Sequence, residues 1–297
     1  MVGFKAIDHR VPAEELLSSG HTACPGCGET LSLRLALKAL GKRTILVIPA
    51  CCAAVVDGMF PHSSSRVPLL HTAFETTASA AVGVRAGLEA RGVKDVTVLA
   101  WGGDGATFDI GFGALSGAVE RNEDILYVCY DNEAYMNTGI QRSSATPWGA
   151  WTGTTPVEQP KDRPKKNMVE ILAAHKIPYA ATASVAFPED FIGKLQKAKK
   201  MKGARFVHIF SPCPSGWKTP SEISIKLARL AVETRMFPLY EVEDGRKYTL
   251  NKEPEGIPVV EYLKLQGRFR HLGKREIEII QKNVDEEWEE LLTKVGR

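Results

Sequence analysis

The sequence predicts an α/β fold, a parallel sheet with helices on both faces, followed by a C-terminal arm. Three observations predict it. The runs RTILVIPA, DVTVLAWGGDG and DILYVCYDNEAY are almost continuously apolar, as strands buried on both sides are. Stretches with helical spacing separate them, and this βαβ rhythm belongs to a helix-covered parallel sheet. From about residue 236 the alternation stops, which divides the chain into a domain over 1–235 and an arm over 236–297 suited to packing on a partner.

In chain order, ETLSLRLALKAL (29–40) carries apolar residues at helical spacing and ends at Gly41. RTILVIPA (43–50) is a strand, and FETTASAAVGVRAGLEARG (74–92) reads as a helix rich in small residues. DVTVLAWGGDG (95–105) is a short buried strand that runs into glycines. IGFGALSGAVERN (110–122) is helical again, and DILYVCYDNEAY (124–135) is another buried strand. Residues 137–167 then form a loop far longer than compact domains tolerate without a function for it. The rhythm resumes with helix 168–176, strand 179–185, helix 188–200 and a strand from 204 that ends at Cys213. In the arm, EVEDGRKYTL (241–250) suggests a hairpin and 274–295 a charged helix.

Composition narrows the function. Hydrophobic residues make up 44% and charged residues 25%, the balance of an ordinary soluble globular protein. A net charge of +3 is too small to imply a nucleic-acid partner. The longest apolar run, 44–56, is short for a membrane span and is broken by Pro49. MVGFKAIDHRVPAEELL shows no apolar signal segment, so a cytoplasmic location is expected. Six cysteines, at 24, 27, 51, 52, 129 and 213, then argue against a disulfide framework, because the cytosol keeps thiols reduced. The C-x-x-C pair Cys24 and Cys27 leaves redox exchange, zinc binding and cluster binding open.

The turn GGDGAT (102–107) ends a buried strand and opens a helix, where backbone N–H groups and the helix dipole favour phosphate. Asp104 in its middle would repel phosphate unless a cation intervened, and magnesium binds through carboxylate or amide oxygens together with phosphate. A second oxygen ligand belongs at the end of the neighbouring strand, where Asn132 stands. Alone, G-D-G is more readily an ordinary turn. With DNEAYMNTG closing the next strand, the cofactor reading prevails.

These two segments resemble the diphosphate-binding motif of thiamine-diphosphate enzymes, which begins with GDG and closes with an asparagine at this distance. The ending Asn-Thr-Gly is similar to that of 2-oxoacid:ferredoxin oxidoreductases, and NTGIQRSSATPWGAWTGTTP looks like their loop near the thiamine ring. The resemblance spans about residues 15–220. It implies a thiamine-diphosphate-binding fold with Gly103, Asp104, Gly105 and Ala106 at the diphosphate. Magnesium would be held by Asp104, Asn132 and the carbonyl of Ala134. Asn137 would face the reacting carbon, with Thr138 and Gly139 beside it.

The family's β subunits also hold one 4Fe–4S cluster through C-x-x-C, a later cysteine and a fourth before a proline. Here those are Cys24, Cys27, Cys52 and Cys213 in CPGC, ACCA and SPCPSGW, the four thiolates such a cluster requires. Cys51 competes with Cys52, and the family spacing favours Cys52. A structural zinc site is the lesser reading, and a dithiol would leave Cys52 and Cys213 unexplained. Cys129, within an apolar strand, reads as core. Glu29 is either close to the thiamine ring, as in the family, or a carboxylate capping the following helix. Phe74 and Glu75 resemble the family's aromatic-acid pair, whereas His21 and His71 read as structural residues.

The implied function is oxidative decarboxylation of a 2-oxoacid with coenzyme A to acyl-CoA and CO2, or its reverse, with electrons passed through the cluster to ferredoxin. The glutamate that thiamine chemistry needs at the pyrimidine ring comes, in the family, from a separate pyrimidine-binding α subunit. That α subunit, a ferredoxin-like subunit and a γ subunit are the implied partners. CPGCGE, NTGIQRS and SPCPSGW are most like the pyruvate type. Branched-chain and oxalate-oxidising relatives are alternatives, and the 2-oxoglutarate type fits less well. A non-catalytic zinc-binding assembly subunit is a reading of another class, with no reason to keep Asp104 and Asn132 at their spacing.

Overall fold

The computed structural model describes residues 11–297; the reading of the first segment as free of an apolar signal falls partly on residues 1–10, outside the described residues. The first half runs α1 (Gly28–Leu40), β1 (Thr44–Pro49), α2 (Cys52–Asp57), β2 (Leu69–Thr72), α3 (Thr77–Ala90), β3 (Thr97–Gly103), α4 (Phe112–Glu120) and β4 (Leu126–Asp131). The second half runs α5 (Met168–Ala174), β5 (Tyr179–Ser184), α6 (Pro188–Lys200), β6 (Arg205–Phe210), α7 (Pro214–Trp217), α8 (Ser224–Glu233), β7 (Tyr240–Glu243), β8 (Lys247–Leu250), α9 (Val260–Leu263) and α10 (Lys274–Val295).

The strands form one sheet of order β2-β1-β3-β4-β6-β5-β7-β8. Its first six strands are parallel. Every residue of β3, β4, β5 and β6 is buried, which is why these runs do not alternate in polarity. Successive side chains still point to opposite faces. Leu99, Trp101, Val128 and Tyr130 pack in the layer that includes α1, α6 and α8. Val98, Ala100, Tyr127 and Cys129 pack with α3, α4, α5 and the end of α10. Each fully buried leucine or valine in these layers stabilises the fold by roughly 1.5–3 kcal/mol.

Two features depart from the expectation. The sheet is not wholly parallel: β7 pairs antiparallel with β5, and β8 antiparallel with β7. The hairpin assigned to the arm therefore extends the sheet, with Tyr240 and Val242 buried and the Tyr179 hydroxyl donating to Glu241 at 2.6 Å. Second, the GDG turn does not open directly into a regular helix. Gly105–Ile110 makes a wide π-type turn, closed by Gly111 N–H donating to the Ala106 carbonyl at 3.0 Å, before α4 begins.

Topology places the site. From β1 the chain moves outward to β2, then returns to the other side of β1 to form β3, so the winding reverses between β1 and β3. Open α/β sheets bind ligands beyond the carboxyl ends of strands at such a reversal. The ACCA segment follows β1 there, GDG follows β3 and DNEAYMNTG follows β4.

Candidate active site

Two adjoining cavities, each of about 200 Å³, open at these strand ends. Gly103, Asp104, Gly105 and Ala106 line the first, together with Asn132, Ala134, Asn137, Thr138 and Phe74. Gly139 is not in that lining; at φ 121° it turns the loop, a conformation suited to glycine. The second cavity is lined by Cys24, Cys27, Cys52 and Cys213, with Glu29. Cys52, Asn132, Met136 and Asn137 line both, so one wall separates the two chambers.

Asp104, 1% exposed, sits where β3 enters the wide turn. One carboxylate oxygen accepts from the Ser143 hydroxyl. The other stands 3.0 Å from the inner end of the Asn132 amide, which is itself 2.9 Å from the Ala134 carbonyl. With the amide oxygen turned inward, three oxygens converge with no proton between them. Magnesium at about 2.1 Å from each of its ligands puts neighbouring oxygens about 3 Å apart, which both distances from the Asn132 amide match. Burial, and then the charge of Asp131, push the Asp104 carboxyl well above the usual range. A cation there would reverse that penalty.

The segment carrying Asn132 and Ala134 is pinned on all sides. Glu133 holds a positive φ of 67°, its N–H donates to Asp131 at 2.9 Å, and its carboxylate takes Lys165 at 2.8 Å and Arg268. His208 lies 2.7 Å from the other Asp131 oxygen, and the Trp217 indole donates to the Asn132 carbonyl at 2.8 Å. Burial raises Asp131, but the Lys165 charge and the His208 bond prevail and bring it down to about 2. Sequence reasoning missed Ser143, Lys165, His208 and Arg268. Only the unusual length of the 137–167 loop pointed towards two of them.

Phe74 and Tyr135 meet edge to face, centroids 5.9 Å apart, on the cavity wall. The Tyr135 hydroxyl donates to Asp109 at 2.7 Å, which fixes the ring against Gly105. A Cβ on Gly105 would stand 2.3 Å from that ring. Gly105→Ala is expected to cost about 1–3 kcal/mol of stability and to weaken thiamine diphosphate binding, read by thermal denaturation and by ligand titration.

The cysteine chamber is assembled from three loops. Cys27 N–H donates to the Cys24 carbonyl at 3.1 Å, and the Gly28 N–H to Pro212 at 3.0 Å, which brings CPGC against SPCPSGW. A Cβ on Gly28 would lie 2.7 Å from Pro212 N, so the close approach needs glycine. The Gly216 N–H points to the Cys213 sulfur at 3.4 Å. Cys51 lines only the first cavity, and Cys129 is buried in β4. Burial, then the charge of Glu29 and the other cysteines, push the Cys52 thiol far above its usual value, and burial pushes Cys213 up to about 11. Among the described residues no three Cys, His, Asp or Glu side chains close on a single ion.

Glu29 lies in this second chamber, 1% exposed. Its carboxylate accepts from the Trp101 indole at 3.1 Å and the Thr30 hydroxyl at 3.3 Å. Burial raises it from an ordinary 4.5 to about 7. Between those values the folded chain holds a proton that the unfolded chain has released. The stabilisation is complete below pH 4.5 and is lost as pH rises through 7, a difference of about 3 kcal/mol. Denaturant midpoints of the cofactor-free chain at pH 5 and pH 7.5 should show that loss, and Glu29→Gln should flatten it.

Among the described residues no helix is long and apolar enough to cross a membrane. Residues 53–209 match the family model described as thiamine pyrophosphate enzyme, C-terminal TPP binding domain. The ketoisovalerate oxidoreductase subunit VorB of Pyrococcus furiosus is 54% identical over 294 residues, covering 95% of this chain and 94% of that protein. The pyruvate synthase subunit PorB of Methanothermobacter thermautotrophicus is 49% identical over 285 residues, covering 95% and 99%. The 2-oxoglutarate:ferredoxin oxidoreductase of Magnetococcus marinus shares the fold at a TM-score of 0.59 and 22% identity, covering 74% of this chain and 82% of that one. This chain belongs to the thiamine pyrophosphate enzymes, within the family that the pyruvate synthase and ketoisovalerate oxidoreductase subunits form.

Proposed function

We propose that the chain is the β subunit of a pyruvate:ferredoxin-type 2-oxoacid oxidoreductase, with thiamine diphosphate and magnesium in one chamber and a 4Fe–4S cluster in the next. The observation that carries this reading is the shared wall: the Asp104–Asn132–Ala134 oxygens and the four cysteines face adjoining cavities. Bound thiamine diphosphate supplies the electron sink for 2-oxoacid decarboxylation. The protein's part is to hold and orient. Asp104, Asn132 and the Ala134 carbonyl would hold magnesium, and the first N–H groups of the Gly105–Ile110 turn would receive the diphosphate. Phe74, Tyr135 and Asn137 would shape the ring's surroundings and exclude water.

Cys24, Cys27, Cys52 and Cys213 would hold the cluster. A single zinc would compete for the same four thiolates, and iron content separates the two. Coenzyme A would take the acyl group. The α subunit would complete the thiamine site, and the ferredoxin-like and γ subunits would serve transfer to ferredoxin.

Pyruvate is the substrate of this reading, on the likeness of CPGCGE, NTGIQRS and SPCPSGW. The greater identity to ketoisovalerate oxidoreductase subunits, 54% against 50%, favours a branched-chain 2-oxoacid as the second. Metal analysis and electron paramagnetic resonance of the anaerobic chain test the cluster. About four irons per chain, with a signal on reduction, are expected, and one zinc without iron would overturn the reading. Comparing kcat/KM of the assembled complex for pyruvate and 2-ketoisovalerate then separates the two substrates.

A further inference from the structure

We propose that Asn132 is a two-way amide that couples occupancy of the cation site to the electronic state of the cluster, a role that rests on the reading above. One end of its amide lies 3.0 Å from Asp104 and 2.9 Å from the Ala134 carbonyl. The other end lies 3.7 Å from the Cys52 sulfur. An amide has one accepting and one donating end, so the two contacts cannot be chosen independently.

With nitrogen inward, Asn132 donates to Asp104 and to Ala134, and its oxygen faces Cys52 and requires a sulfur that donates. With oxygen inward, the three oxygens require a cation, and the NH2 group faces Cys52 and requires a sulfur that accepts. A cation in the first chamber therefore selects the orientation that gives the Cys52 thiolate a hydrogen bond. Hydrogen bonds to ligand sulfur stabilise the added negative charge of a reduced cluster and raise its potential. Linkage makes the effect reciprocal: a reduced cluster must tighten binding of the magnesium complex of thiamine diphosphate by the same factor. No covalent bond forms or breaks; one electron enters the cluster from the reductant. Asn132 acts here as a positioning residue for Cys52.

The test is a mediated redox titration of the full chain, anaerobically reconstituted with iron and sulfide, with dithionite as reductant. The cluster signal is followed with and without magnesium and thiamine diphosphate. The wild-type potential is expected to move upward on adding both. Asn132→Asp keeps an inward oxygen and cannot donate to Cys52, so at magnesium and thiamine diphosphate concentrations that saturate the variant in a separate titration its potential should move upward by clearly less than the wild type's. An equal upward movement in the variant would overturn the proposal. A second measurement needs no variant: thiamine diphosphate should bind the reduced wild-type chain more tightly than the oxidised chain, and equal affinities would overturn the proposal too. A wild-type chain that takes up no iron defeats the oxidoreductase reading itself, an outcome distinct from a cluster whose potential ignores the cation.

Discussion

Asp104→Ala is expected to weaken thiamine diphosphate binding roughly 100-fold while leaving the proposed cluster in place. The substitution removes the anionic member of the oxygen triad and leaves the Asn132 amide and the Ala134 carbonyl without a charge to complete a magnesium shell. Losing one buried, charge-assisted ligand costs about 3 kcal/mol, or roughly 100-fold in affinity. Stability should move the other way or not at all. Burial holds the wild-type carboxyl well above the usual range, so the fold gains little from it before the cation arrives. Titration with thiamine diphosphate at saturating magnesium, melting temperature and iron content together check this. Binding within threefold of wild type would remove Asp104 from the cation site. Loss of iron alongside the cofactor would show that the two chambers are not separate sites.

Asp104 could be found in the sequence because its surroundings are contiguous: a buried strand, a glycine turn and an acidic residue fit within a few positions. The strands were legible for the same reason, since β3 and β4 are buried at every residue. The 274–295 helix matches its expected span. What the sequence hid was long-range pairing. Lys165 and Arg268 look like ordinary solvated charges, yet Lys165 is 20% and Arg268 3% exposed in its side chain, and both grip Glu133. Ser143 reaches Asp104 across 39 positions. Helix α2 was concealed inside TILVIPACCAAVV, because an unbroken apolar run does not distinguish strand from helix by period. β2, a four-residue edge strand with two exposed residues, gave no pattern at all. The hairpin over 241–250 is legible, but its pairing with β5 depends on contacts that local pattern does not encode.

On the proposed cluster, Cys52→Ser should reduce the iron content from about four per chain to near zero, because it removes one of the four thiolates that would hold it. Thiamine diphosphate binding should survive with a modest loss, since Cys52 is part of the shared wall and not of the oxygen triad. Cys51→Ser is the decisive comparison. Cys51 lines the cofactor chamber and is absent from the lining of the cysteine chamber, and burial pushes its thiol up to about 11. Its replacement should spare the iron and instead disturb the contact with Tyr130. Helix α2 begins at Cys52, so adjacent cysteines are held apart by a change of backbone direction, Cys51 being extended and Cys52 helical. If Cys51→Ser lost the iron and Cys52→Ser kept it, that first turn of α2 would have to unwind on cluster binding. Asn132 would then have no ligand sulfur to address, and the coupling between the chambers would have to run through another residue.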